Sequence, residues 1–238
     1  MSFLKAEWRK LAIANYELDP SILEKHLPYG TELDLWKGKC YVSVVGFMFI
    51  NTRLLGIPIP FHRNFEEVNL RFYVRRKEGN EWRRGVVFVK ELVPKRAITF
   101  VANTVYKENY ETVEMDHSWI ENDASRTVQY CWKRNNIWEE IKIVVELNPV
   151  EIGEGSEEEF ITEHYWGYAH VSDSRSNAYE VRHPRWMTYT VIESKISIDF
   201  GANYGSEFSF LTNQDPSSVM LAEGSLISVE GKQKIKKT

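Results

Sequence analysis

The stretch Phe61–Arg76, FHRNFEEVNLRFYVRR, limits the possible folds more than any other part of the chain. From Phe65 onward, Val68, Leu70, Phe72 and Val74 alternate with Phe65, Glu67, Asn69, Arg71, Tyr73 and Arg75. Strand side chains change face at every residue, so the pattern predicts a long β-strand with one apolar face. The other face carries an acid, an amide, a guanidinium and a phenol in a row. Facing solvent, that row is an ordinary hydrated surface; facing inward, it is the polar wall of a ligand cavity.

The neighbouring sequence reads as more strands. Trp8–Leu18 is the expected first strand, and Asp19-Pro20 supplies an N-cap acid and an N1 proline for a short helix. Thr31–Trp36 and Lys39–Ile50 follow as strands, with Asn51–Phe61 a loop punctuated by Pro and Gly. Lys77-Glu78-Gly79-Asn80 is a hairpin turn returning into Trp82–Val93. After Pro94 the period changes: Ile98, Val101, Ala102, Val105 and Tyr106 recur at helical spacing, which predicts a buried helical stripe. Strands resume at Thr112–Ile120, Thr127–Lys133 and Ile137–Leu147, the last two joined by a turn at Arg134-Asn135-Asn136. Ser156 and Glu159 form a capping box for a helix through His164. Trp166–Val171, Ala178–His183, Met187–Ile198 and Ser218–Glu230 complete the strands, and the basic tail 231–238 is expected to fray. The expected fold is a mostly β (α+β) single domain over 1–238, antiparallel, with a few peripheral helices.

A length of 238 residues, 43% of them apolar and 13% aromatic, is enough for a real core without metal or disulfide staples. Thirty basic against thirty-four acidic residues leave a net charge of −4, which argues against nucleic acid or an anionic membrane as partner. Cys40 and Cys131 lack metal-site spacing and read as reduced thiols. The first residues contain no secretory apolar segment, and the run Tyr41–Ile50 is half the length of a membrane span. A cytoplasmic protein is expected, with no cofactor and no metal; homo-oligomerisation is left open. His164 and His170 would lie far apart along an extended strand, so packing or hydrogen bonding is the expected role of the histidines.

No phosphate loop, dinucleotide fingerprint, G-x-S-x-G elbow or H-E-x-x-H occurs. Four blocks, F-x-E-x-N-L-R-x-Y-V (Phe65–Val74), YVSVVGF (Tyr41–Phe47), TEHYWGYA (Thr162–Ala169) and SVMLAEGS (Ser218–Ser225), together resemble the YqjF-like family of domains of unknown function. That family belongs to the acetoacetate-decarboxylase-like superfamily, so the resemblance implies a cone-like antiparallel β-barrel around a cavity. It also implies that Glu67 is a pocket carboxylate. The superfamily's decarboxylases activate a Schiff-base lysine with an adjacent lysine, and acetoacetate decarboxylase is the standard example of that activation. Here the pair would fall near Tyr110-Glu111, and the only adjacent lysines are Lys236 and Lys237.

Three functions follow as expectations. The first is a small-molecule-binding or enzymatic barrel without the lysine pair, taking a small and anionic ligand such as an organic acid. Its candidate ligand-binding residues are Glu67, Asn69, Arg71, Tyr106 and Tyr110. The second is a non-catalytic sensor or protein-interaction module whose cavity is filled by side chains. The third is a Schiff-base decarboxylase acting through Lys107.

Overall fold

The computed structural model describes residues 2–237. Its strands are β1 (Leu4–Glu17), β2 (Glu32–Leu33), β3 (Tyr41–Leu54), β4 (Ile57–Pro58), β5 (Phe65–Glu78), β6 (Glu81–Val93), β7 (Tyr110–Thr112) and β8 (Met115–Glu121). They continue as β9 (Arg126–Arg134), β10 (Ile137–Glu151), β11 (Trp166–Ser172), β12 (Arg175–Arg182), β13 (Met187–Ser197), β14 (Ser218–Val229) and β15 (Gln233–Lys236). Three α-helices are short: α1 (Arg96–Val101), α2 (Glu157–Thr162) and α3 (Phe200–Tyr204). Among the described residues no helix is long and apolar enough to cross a membrane.

The strands pair in the order β15-β12-β11-β6-β5-β3-β1-β14-β13-β10-β9-β8. Pairing is antiparallel except where β6 meets β7 and β11. β12 also pairs β14 through Val181↔Val229 and Arg182↔Ser228, so the path from β12 through β5 to β14 returns on itself.

Both faces of β5 are covered. Val68, Leu70, Phe72 and Val74 join a core with Val128, Tyr130, Trp132, Ile141 and Ile143 of β9 and β10, which lie across the outside of the ring of strands. Phe65 and Tyr73 belong to a second core, inside the ring, with Phe47, Phe49, Val86, Phe160 and Tyr179. Fully burying each large apolar side chain contributes about 1.5–3 kcal/mol, so β5 is held from two directions.

Local chemistry accounts for the turns. Gly79, with φ +60°, and Asn80 close the β5–β6 hairpin. Asn135 and Asn136, with φ of 50° and 64°, close β9–β10, the backbone signature of a type I′ turn. The Ser156 hydroxyl accepts from the Glu159 amide at 3.1 Å and starts α2.

Four expectations need correction. Asn51–Phe61 is not wholly loop: β3 runs on to Leu54 and folds back on Ile57–Pro58 through Leu55 and Gly56. The segment after Asp19 forms two 3₁₀ turns rather than an α-helix. The helix after Pro94 keeps α geometry only through Val101; Ala102–Tyr106 is a π turn ended by Lys107 at φ 66°. Its apolar side is half-buried, because it covers a hollow rather than solid core. The tail expected to fray pairs instead with β12, its Ile235 packed in the outer core.

Gly46 of β3 sits under the Tyr130 ring, and a Cβ there would lie 2.8 Å from Tyr130 Cδ2 and 3.1 Å from Ile141 Cγ2. Tyr130 is fixed by donating to the Lys10 carbonyl oxygen at 2.9 Å, so it has no easy retreat. Gly46→Ala should therefore cost about 1–3 kcal/mol in urea denaturation; an unchanged midpoint would mean that the outer core is loosely packed here.

Candidate functional site

Inside the ring lies a cavity of about 230 Å³. That volume is below the roughly 300–1,000 Å³ of pockets for drug-sized ligands, so it has room only for a small molecule. One side is apolar, with Trp8, Phe47, Phe49 and Phe65 from the strands and Ile98 and Val101 from the segment after Pro94. The polar row of β5, with Glu67 paired across from Phe47 of β3, lines the cavity beside these residues, together with residues from other parts of the chain. A side-chain-filled cavity, the second expectation, does not describe this interior.

Glu67, Asn69, Arg71, Tyr106 and Tyr110 all line the cavity. Glu67 is 2% exposed. It accepts from Asn69 Nδ2 at 3.0 Å and from the Tyr110 phenol at 3.0 Å. Tyr106 contributes a wall: its ring meets Tyr179 edge-on at 5.3 Å. Arg71 Nη2 donates to the Ile161 carbonyl oxygen at 3.3 Å. Among the described residues no carboxylate forms an ion pair with Arg71, although Glu67 shares its cavity. The two charges are enclosed together without touching.

Two acids and a histidine join them that the sequence did not single out as ligand contacts. Glu91 of β6 stands opposite Asn69. Glu108 accepts from the Tyr179 phenol at 2.8 Å. His164, just after α2, places Nε2 3.1 Å from Asp34 Oδ2, and Arg84 Nε donates to the same oxygen at 2.6 Å. Glu108 had a sequence signal, since Tyr106, Glu108 and Tyr110 alternate and all three line the cavity.

Glu91 had none. Phe88 and Glu91 are three residues apart, so strict alternation would put them on opposite faces. The bulge at Val89, where Leu70 pairs Lys90 but Arg71 pairs Phe88, turns both inward.

Burial dominates the electrostatics. Desolvation pushes Glu67 up to about 7, opposed by its bonds from Asn69 and Tyr110 and by the charge of Arg71. Desolvation likewise lifts Glu108 to about 7 and raises Glu91 well above the carboxylate range, with neighbouring carboxylates adding to both. Burial also lowers His164 to about 4, outweighing its bond to Asp34, so the ring is neutral at physiological pH.

Six of the nine buried side-chain polar atoms without a protein partner belong to residues lining this cavity, among the described residues. They include Asn69 Oδ1, Arg71 Nε, Glu91 Oε2 and His164 Nδ1. Folded proteins leave few such atoms, and here most of them border the hollow.

The Schiff-base reading is corrected by position. No lysine lines the cavity, and Lys107 is exposed, facing a separate groove with Arg175, Lys232, Lys234 and Lys236. Where the superfamily register would set a lysine pair, Tyr110 points a phenol at Glu67 and Glu111 pairs with Arg134 at 2.6 Å. No three His, Cys, Asp or Glu side chains among the described residues form a metal-ligating group.

The raised carboxyl has a measurable consequence. A group whose folded pKa exceeds its unfolded value of 4.5 stabilises the fold fully below 4.5. That contribution is lost as pH rises through about 7. Glu67→Gln removes the titration, so its stability relative to wild type should rise by about 2–3 kcal/mol from pH 5 to pH 8. Urea denaturation of both proteins at the two pH values checks this; a constant difference would mean that Glu67 titrates normally.

Comparison with known proteins places these features in a family. Solved structures of the same fold include acetoacetate decarboxylase from Legionella pneumophila, at TM-score 0.67 and 12% identity over 98% of this chain and 86% of that one. The enduracididine biosynthesis enzyme MppR aligns at TM-score 0.68 and 12% identity over 99% of this chain and 90% of that one. Uncharacterized protein YqjF of Bacillus subtilis (strain 168) is 28% identical over 202 residues, 82% of this chain and 78% of the relative. The profile of DUF2071, described as an uncharacterized conserved protein, matches residues 5–226. The chain therefore belongs to the DUF2071 family and has an acetoacetate-decarboxylase-like, mostly β fold.

Proposed function

We propose that this protein binds a small organic acid in its hollow core, with Arg71 receiving the carboxylate and Glu67 serving as the proton carrier beside it. The observation that carries the reading is Arg71 itself, a guanidinium 8% exposed inside a cavity and without a carboxylate partner. A buried charge left unpaired is costly, and a guanidinium is matched best by a carboxylate gripped through two parallel hydrogen bonds. The apolar wall receives the body of the ligand. Glu67, poised near neutrality, can give or take a proton at a carbonyl or its neighbouring carbon. The ring of strands is read as the cone-like barrel of the superfamily, and residues 1–238 as one domain. A structure of MppR complexed with pyruvate supports small carboxylates as occupants of this fold.

Calorimetry with hexanoate and hexanol tests this directly. Hexanoate should bind, hexanol should bind far more weakly, and Arg71→Gln should weaken hexanoate by about tenfold or more, the worth of a charge-assisted bond. Equal binding of the acid and the alcohol, or an indifferent Arg71→Gln, would remove the proposal. Separately, treatment with a keto acid and borohydride should add no covalent mass, because no lysine among the described residues lines the cavity. A stoichiometric adduct at Lys107 would restore the lysine chemistry.

A further inference from the structure

The cavity contains more acid than a simple carboxylate ligand can use. Glu67, Glu91 and Glu108 line it against one guanidinium, Arg71, and no lysine. Glu91 is 2% exposed and its Oε2 has no partner. Glu67 and Glu108 each accept from a phenol, Tyr110 and Tyr179, so two oxygens of the cluster are held in place by neutral donors. Three carboxyls cannot all be ionised beside a single cation in an apolar surround, and those in excess hold protons.

We infer that the ligand carries two opposite charges: a carboxylate that meets Arg71 and a protonated amine that enters among Glu67, Glu91 and Glu108. The inference rests on the carboxylate-binding reading of Arg71 and extends it to the other end of the polar row. An ammonium group brings three donors to a place with an unpartnered carboxylate oxygen, and it displaces the protons that the carboxyls otherwise hold. Tyr106, Tyr110 and Tyr179 line the cavity with these acids, and aromatic rings favour a cation over a methyl group. Glu67 and Arg71 are four residues apart on one strand, roughly 13 Å between their Cα atoms. That span favours an amine set several carbons from the carboxylate over an α-amine.

The direction of the pH response follows. At low pH the carboxyls are protonated and the ammonium lacks its partners; as pH rises through about 7, Glu67 and Glu108 ionise and the amine is held more tightly. Two histidines also face the cavity, whose tyrosines Tyr106, Tyr110 and Tyr179 are raised further above neutrality by burial. His164 is neutral throughout this range, lowered to about 4 by burial, and His62 lies on the wall formed by the loop after β4.

The test is calorimetry with 6-aminohexanoate, heptanoate (a methyl in place of the ammonium) and hexylamine (a methyl in place of the carboxylate), at pH 6 and pH 8, in phosphate and in Tris. The expected result is that 6-aminohexanoate binds about tenfold or more tighter than heptanoate at pH 8. It should tighten from pH 6 to pH 8 and release protons, seen as a buffer-dependent heat. Glu108→Gln and Glu91→Gln, each keeping a hydrogen-bonding side chain, should erase the preference for 6-aminohexanoate over heptanoate. His62→Gln should leave the pH response in place. Heptanoate binding as tightly as 6-aminohexanoate would overturn the inference and leave the organic-acid reading standing. Hexylamine binding as tightly as 6-aminohexanoate would overturn the two-ended form. Failure of both carboxylates to bind would overturn the inference together with the reading beneath it.

Discussion

The structure depends on β5 having no solvent face along its central stretch. A strand buried on one side asks only for a sheet and something to cover it. A strand buried on both sides requires two separate cores, and the two here differ in kind. Outside the ring, Val68, Leu70, Phe72 and Val74 meet β9 and β10 in tight packing, with Trp132 and Tyr130 filling the space. Inside, the side chains are long and partly polar, and strands curving round them leave a volume unfilled. The dry outer core supplies stability, which lets the inner one remain hollow.

Polar groups survive inside because most are matched locally and neutrally. Tyr73 and Ser43 hydroxyls lie 2.6 Å apart, and Ser43 donates to Asn15 Oδ1 at 2.5 Å. These groups cross three neighbouring strands and satisfy one another without charge. Asp34 is the exception. It stays ionised, its carboxyl held below the usual range by His164 and Arg84 against the opposing effect of burial. That arrangement fixes His164 with one ring nitrogen engaged, and leaves Nδ1 without a partner. The interior therefore combines groups that are finished with groups that are not, and most of the unfinished ones among the described residues belong to the lining of the hollow.

How much of this was legible depended on whether parity along a strand was kept. Alternation in β5 placed Glu67, Asn69 and Arg71 on one face, and the two asparagines and Gly79 marked the hairpins correctly. The same rule misplaces Glu91, because a bulge adds a residue to β6 and no residue type at Val89 announces it. The period after Pro94 was helical as read, but periodicity cannot distinguish a stripe packed on solid core from one roofing a void. Asp34 and His164 stand 130 residues apart in sequence, and only the assembled sheet joins them. The tail looked free because it is basic; its single apolar residue, Ile235, was enough to dock it.

The way the ring closes gives this interior a route to solvent. β11 meets β6 at Trp166↔Gly85 and Gly167↔Val86, and β12 meets β14 at Val181↔Val229 and Arg182↔Ser228, with the Glu230 amide donating to the Glu180 carbonyl oxygen at 2.9 Å. Its other strands are paired along most of their length. The β11–β12 hairpin is thus joined into the ring by two short seams, with β15 paired along the other end of β12, and it carries Tyr179, packed over Gly167, toward Glu108. Local opening follows the weakest bonding in a fold. A detaching hairpin would expose the acidic end of the hollow and leave the β5 wall, with Arg71, undisturbed. Amide hydrogen exchange would register it as a hairpin that trades its protons well before the strands on either side.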